Sequence, residues 1–548
     1  IKAGLLEGES MVVSTPTASG KTLLALLVAG KHIIENNGKV VYVTPLRALA
    51  SEKYQEFSLL KEAYRRVRVM ISTGDYDSPG EYLAYADLVI LTNEKFDSLM
   101  RHSAKWMEKT SMFIFDEIHM IGDEKRGGVL EFSVTNVLNR LPHSQILALS
   151  ATISNSDEIA KWLNAKVIKS EWRPVKLREG VYANGHIFFS DHSVKTLKRV
   201  SGDPALDLSM DGVAEGGQVL LFADTRKRAV SIAKKISNYI GKTLSEKERS
   251  LLMEISNDKV LVEDETSLGK MLRGILREGV AFHHAGLLHT HRKMIEEAFR
   301  TGLLKVIVAT PTLAAGVNLP ARRVVILTPF RYSGFRYEPI SVMEFKQMAG
   351  RAGRPRYDEE GEAILVSRDE SLLDFVFERY IKGNPEPITS KLDHLGVCTY
   401  LLAYISTNPG CSYTDVREFF GKTLMRRQRG LRYTLSGIMD AAKFLVRNQL
   451  VGERGSTWYP TRLGKRISTL YIMPETGVML KDSLKYLEKS KDIHISALFV
   501  IVSTPDFEPK LGSRKVYDVL NLVSKGITIP RTAYSSINEW VKSFLALK

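Results

Sequence analysis

Cysteine is nearly absent: the 548 residues hold two, Cys398 and Cys411. Two thiols cannot build a disulfide framework or a four-cysteine zinc site. The chain therefore reads as one of a reducing, cytoplasmic compartment, with both cysteines as small buried hydrophobes. Long apolar runs are missing as well; none approaches the ~20 residues that span a bilayer. No low-complexity tract, heptad repeat or charged-then-apolar leader stands out. The chain opens on Ile1 rather than Met and stops at Lys548 within a helical-looking stretch, Trp540–Leu547, so both ends read as cuts in a longer protein. Acidic residues are in deficit. Asp and Glu total 62 against 77 Lys and Arg, a net charge of +15, which favours a polyanionic partner and most simply nucleic acid.

What is present suits a soluble globular protein, 44% hydrophobic and 25% charged. The length is too great for one core and suggests roughly three to five domains. From 1 to about 172, apolar runs alternate with helical stretches: Met11–Ser14, Val40–Thr44, Leu88–Thr92, Met112–Phe115 and Ile146–Ser150. Fully apolar runs between helices predict parallel strands covered on both faces, hence a doubly wound α/β domain. The pattern recurs over 173–385, at Val219–Phe222, Val280–His283, Lys305–Val308, Val324–Leu327 and Ala363–Val366. Ser201–Gly217, rich in Gly, Asp and Ser, reads as a loop. Over 386–475, helices followed by a short ribbon near Leu450–Pro460 suggest a winged-helix module. Helical spacing continues over 476–548 and predicts a helical domain cut short.

Thr15–Thr22, TPTASGKT, lies between a strand and a helix, as a phosphate-gripping loop does. It departs from G-x-x-x-x-G-K-[ST] by Thr15 in the first position. Thr17, Ser19 and Gly20 would wrap the phosphates, Lys21 would reach the β- and γ-phosphates, and Thr22 would ligate magnesium. Asp116 and Glu117 follow the Met112–Phe115 run. Asp116 can hold magnesium through water, and Glu117 can polarise the attacking water. Gln347, Arg351 and Arg354 are spaced to share one helical face. His119, His283 and His284 lack a further ligand at metal-binding spacing.

The motif series resembles that of superfamily 2 helicases, and its Asp116-Glu117-Ile118-His119 spelling resembles the Ski-two-like branch. Pro45–Ala50, Thr92–Lys95, Ser150–Thr152, Phe222–Arg226, His283–Leu287, Ala309–Pro320 and Gln347–Pro355 resemble its motifs Ia, Ib, III, IV, IVa, V and VI in order. Thr461–Thr476 and Ser503–Asp506 resemble the archaeal repair helicases of the Holliday junction migration (Hjm) family.

The resemblance implies two tandem RecA-like domains, then a winged-helix domain and the start of a helical domain. It implies an ATP- and Mg2+-dependent helicase, with Arg351 and Arg354 reaching the γ-phosphate from the second domain. His119, Ser150 and Thr152 would couple hydrolysis to movement; for His283 and His284, a motif role and plain packing both remain open. Arg47, Thr92, Thr225, Arg226 and Thr310 would contact DNA phosphates, although Thr92 and Thr310 could equally be strand-end caps. Phe330, Tyr332, Phe335 and Tyr337 flank Ser333-Gly334 and read as a hairpin; relatives carry a strand-separating wedge there, and packing against the next domain is the competing role. An adenine-recognising glutamine motif is expected before Ile1, and a DNA-gripping ratchet helix after Lys548. The implied partners are single-stranded and forked DNA, acted on by a monomer at 3′ to 5′ polarity, with replication or repair proteins beyond that. An RNA helicase of the same branch and an ATP-gated clamp without unwinding are the rival readings.

Overall fold

The computed structural model describes residues 2–17, 19–74, 80–102, 104–311, 313, 319–332, 337–355, 357–367, 369–392, 394–487 and 492–507. They form two compact units. The first takes in residues up to Ile71, Met112–His119 and Gln145–Ile388; the second takes in Ser72–Ser111, Met120–Ser144 and the chain from Thr389 onward.

The first unit carries two parallel-sheet α/β layers, the tandem RecA-like arrangement. In one, the strands Lys39–Thr44, Thr110–Phe115, Gln145–Ser150, Met11–Ser14 and Lys166–Lys169 lie side by side in that order. In the other the order is Val194–Thr196, His186–Phe189, Lys176–Ala183, Glu360–Val366, Arg323–Ile326, Val219–Phe222, Val306–Ala309 and Val280–His283. From Lys176–Ala183 onward every neighbouring pair is parallel, and the first two strands add an antiparallel edge. The strands Met11–Ser14, Val219–Phe222, Val306–Ala309 and Val280–His283 are buried along their whole length, which is why they read as apolar runs rather than alternating ones.

Two sequence expectations need correction. Ser201–Gly217 is not a loop: Pro204–Ala214 is a helix, with Asp203 accepting from the Ala205 N–H and Pro204 in its first turn. Ala205, Leu206 and Leu208 face the core, and two of its polar letters are buried with them: Asp207 accepts from the Val200 and Ser201 N–H groups, and Ser209 Oγ donates to the Ala205 carbonyl. Gln347, Arg351 and Arg354 do not share a helical face either, because the helix Val342–Ala349 ends before both arginines.

The second unit is mainly helical. Phe132, Tyr400, Tyr404 and Phe419 cluster at its centre. The helices His394–Thr407, Tyr413–Gly421 and Leu424–Arg447 precede an antiparallel ribbon of Val451–Arg454 and Thr457–Pro460. Helices follow at Arg462–Leu470, Pro474–Leu487 and Ile493–Ser503; the rest of the expected C-terminal helical segment lies outside the described residues. Among the described residues no helix is long and apolar enough to cross a membrane.

Candidate functional site

The strand Met11–Ser14 runs into the phosphate loop, and the helix Lys21–Asn36 leaves it. Gly20 has φ 92°, a conformation that favours glycine and turns the loop into the helix. Thr15 Oγ1 and Ser19 Oγ hydrogen-bond across the loop at 2.7 Å. Lys21 Nζ donates to the carbonyls of Thr15 (2.8 Å) and Pro16 (2.9 Å). Burial, joined by Arg351 and Lys53, lowers its pKa against the pull of Glu117 and Asp116. Thr17 meets the segment that carries the arginines: a Cβ on Gly350 would stand 2.9 Å from Thr17 Oγ1. A side chain at position 350 would have to displace the Thr17 hydroxyl.

Asp116 follows its strand directly with its carboxylate buried, accepting from Tyr42 Oη at 2.6 Å and from the Glu117 N–H at 3.0 Å. Burial and the neighbouring Glu117 push its pKa up to about 6, against Lys53, Tyr42 and Lys21. Glu117 has φ 53°, rare outside glycine and costing about 1–3 kcal/mol. Burial disfavours its charged form, but His119, Lys21, Arg351 and Lys53 outweigh burial and hold its pKa below the usual carboxylate value. One carboxyl of the pair is thus easily protonated and the other kept ionised. Thr22 offers a hydroxyl and Asp116 an under-compensated carboxylate. These are hard oxygen donors of the kind magnesium takes, so the residues fit that ion.

His119 joins the two sheets' loops. Its Nε2 lies 2.7 Å from Gln347 Nε2, and its Nδ1 lies 3.3 Å from Glu117 Oε2 and 3.4 Å from Ser150 Oγ. With the Gln347 amide as donor, Nε2 accepts and the ring proton sits on Nδ1, facing Glu117 and Ser150. Burial lowers the imidazole pKa, which suits this neutral form. Thr152 is exposed.

The two arginines differ. Burial lowers the Arg351 pKa against the opposing field of Glu117 and Glu52, so its charge acts on Glu117. Arg354 is held elsewhere. Its Nε and Nη2 donate to Asp358 at 2.9 and 2.7 Å, and its Nη1 donates to Gln218 Oε1 at 2.9 Å.

Of the expected phosphate contacts, Arg47 and Arg226 are exposed at the first residues of helices. Thr92 and Thr225 cap helices, accepting from the Lys95 and Arg228 N–H groups at 3.3 Å. Thr310 is buried. His283 Nε2 bonds Glu296 Oε1 at 3.0 Å, and His284 accepts from the Gly286 N–H at 3.1 Å. The aromatic segment forms the expected hairpin, with Phe330–Tyr332 antiparallel to Tyr337–Pro339. Tyr380 Oη donates to the carbonyls of Ile340 (2.9 Å) and Pro329 (3.3 Å) and braces its base. Tyr337 is 62% exposed. Phe335 and the tip, like residues 312 and 314–318 of the fifth motif, lie outside the described residues.

Comparison with known proteins agrees with this geometry. The DEAD/DEAH box helicase profile matches residues 1–159, and the helicase conserved C-terminal domain profile matches residues 234–356. A Pyrococcus horikoshii protein named ATP-dependent DNA helicase Hel308 is 43% identical over 525 residues, covering 95% of this chain and 71% of that protein. The chain belongs to the Hel308 helicase family. Hel308 proteins of Methanocella arvoryzae (41% identity, 92% of this chain, 69% of theirs) and Caldivirga maquilingensis (38%, 94% and 69%) are similar along the same span.

Two residues of this Hel308-family site escaped the sequence reading. Lys53 Nζ donates to Thr22 Oγ1 at 2.9 Å, although in the sequence it is one charge among several on a solvated-looking helix. Arg173 Nη2 donates to the carbonyls of Gly350 and Ala352 and fastens the segment that carries Arg351.

Proposed function

We propose that this chain translocates 3′ to 5′ along single-stranded DNA, driven by ATP hydrolysis, and unwinds forked or branched DNA during replication-fork repair and recombination. An ATP-dependent DNA helicase acting in repair and recombination is what its family membership supports. Polarity, forked substrate and monomeric action rest on the motif resemblance, and a cytoplasmic setting on the scarcity of cysteine. We divide the chain into RecA-like domains over 1–172 and 173–385, a winged-helix domain over 386–475 and the start of a helical domain over 476–548.

The observation that carries the reading is the 2.7 Å contact between His119, beside the acidic pair, and Gln347, beside the arginines. It links the residue that would activate water to the opposite sheet's loop. Lys21 and the N–H groups of the phosphate loop bind the ATP phosphates. Glu117, kept ionised, orients the attacking water and takes its proton. Arg351 offsets charge developing on the transferred phosphoryl group. Thr22 and Asp116 would hold magnesium, which supplies further charge neutralisation of the phosphate oxygens. His119 and Gln347 make this arrangement depend on how the two sheets meet, so closure is tied to nucleotide state. Arg47 and Arg226 grip the DNA backbone, which gives affinity without sequence reading.

Unwinding assays on forked DNA and matched RNA duplexes, each with 3′ or 5′ tails, test the proposal. The expected result is ATP-dependent unwinding of DNA carrying a 3′ tail. Preference for RNA would point to the RNA helicase reading, and binding without DNA-stimulated turnover to a clamp.

A further inference from the structure

Lys53 lies on the helix Arg47–Phe57, is 7% exposed, and reaches into the nucleotide site. Its ammonium donates to Thr22 Oγ1 and to Glu56 Oε2, both at 2.9 Å, and stands 3.6 Å from Glu52 Oε1. Its charge also acts on the buried Asp116 carboxylate. The lysine therefore serves the two side chains that fit magnesium, and it has two carboxylates of its own within reach. Thr22 Oγ1, which accepts the hydrogen bond from the lysine ammonium, is the atom a metal would need. A cation of +1 and one of +2 repel strongly at such range in a half-buried site.

We propose that Lys53 competes with magnesium for the Thr22–Asp116 position and withdraws onto Glu52 and Glu56 when the metal–nucleotide complex binds. Lys53 is then a positioning residue that sets how much magnesium the site demands. Its shared helix gives the exchange a mechanical reach. Arg47, the candidate DNA contact, opens that helix, and Phe57 closes it by packing edge-on against Tyr42 at 5.1 Å, whose hydroxyl holds Asp116.

The inference rests on the ATP-site reading above, and the test separates the two. A non-hydrolysable ATP analogue is bound to the protein while magnesium is titrated from a chelated baseline, with binding followed by calorimetry. Lys53→Met keeps the apolar stem and removes the competing charge, so the half-saturating magnesium concentration is expected to fall about tenfold. Glu56→Gln removes one carboxylate that draws Lys53 away, so the same midpoint is expected to rise several-fold. Shifts of opposite sign cannot come from general loss of folding, and Glu56→Gln stands alone if Lys53→Met fails to fold. An unchanged or raised midpoint in Lys53→Met, or an unchanged or lowered one in Glu56→Gln, overturns the inference. Weaker analogue binding by Lys53→Met at saturating magnesium with no midpoint shift also overturns it, and makes Lys53 a phosphate ligand. Failure of the unaltered protein to bind the analogue at any magnesium concentration refutes the ATP-site reading instead.

Discussion

Gln347 Nε2 stands 2.7 Å from His119 Nε2, and the other ring nitrogen of that histidine stands 3.3 Å from Glu117. A proton on Nδ1 lets one neutral imidazole accept from the amide and donate toward the carboxylate. Removing either end breaks the same chain, so the two losses should not add. Gln347→Ala and His119→Ala should each lower DNA-stimulated kcat roughly tenfold or more, with KM for ATP little changed, and the double variant should be no worse than the poorer single one. Additive losses in a steady-state ATPase assay would separate the two residues.

Glu117 is held at φ 53° with its carboxylate kept ionised by His119, Lys21, Arg351 and Lys53. Glu117→Gln keeps size and backbone demand but cannot take a proton. It should bind ATP analogue and DNA as the unaltered protein does and turn over roughly 10²–10⁴-fold more slowly. Normal turnover would exclude Glu117 as the group that activates water.

The sheets were legible because a strand covered on both faces must be apolar throughout; Met11–Ser14, Val219–Phe222 and Val280–His283 begin and end where their letters predict. Placement tied to a local motif was legible too: Lys21 opens the helix after the phosphate loop, and Asp116 follows the strand Thr110–Phe115. What stayed hidden depends on chain reversal. Lys53 and Thr22 are 31 positions apart, and nothing local marks a helical lysine as reaching a phosphate loop. Pro204–Ala214 was misread because composition outweighed the cap signal of Asp203 and Pro204. The role of Arg354 could not be told from that of Arg351, since both sit in the same repeated Gly-Arg letters.

Those two arginines should separate by experiment. Arg351 acts on Glu117, whereas Arg354 is bound to Asp358 and Gln218. Arg351→Ala should lower kcat about a thousandfold with little change in Tm. Arg354→Ala takes the guanidinium from Asp358, which keeps the N–H of residue 354, and should cost about 1–3 kcal/mol of stability, seen as a lower Tm. Equal kinetic losses at unchanged Tm would return Arg354 to the phosphate side.

Tyr337 is 62% exposed on a hairpin whose base Tyr380 braces. Tyr337→Ala, alone or with Phe335→Ala, removes rings on which bases can stack at about 1–3 kcal/mol each. ATPase activity should survive while unwinding of forked DNA weakens. Parallel loss of both would make the hairpin a packing element.

Glu131 gives a pH dependence that belongs to the second unit rather than to the ATP site. Its carboxylate is fully buried, accepting from Ser390 Oγ at 2.6 Å and from the Met425 N–H at 2.8 Å, at the start of the helix Leu424–Arg447. Burial pushes its pKa up from 4.5 to about 7, more than these donors pull it down. The folded state therefore holds a proton that the unfolded chain releases, and stability falls as pH rises between those values. The advantage of the protonated form is complete below about 4.5 and gone above about 7. A shift of this size corresponds to about 3 kcal/mol. Glu131→Gln keeps an acceptor oxygen and cannot ionise, so its denaturant midpoint should fall less than that of the unaltered protein between pH 4.5 and 7. The difference between the two proteins isolates Glu131 from other groups, such as Asp116, that also titrate in this range. Parallel midpoint curves would mean that Glu131 stays charged in the fold, with its donors offsetting the cost of burial.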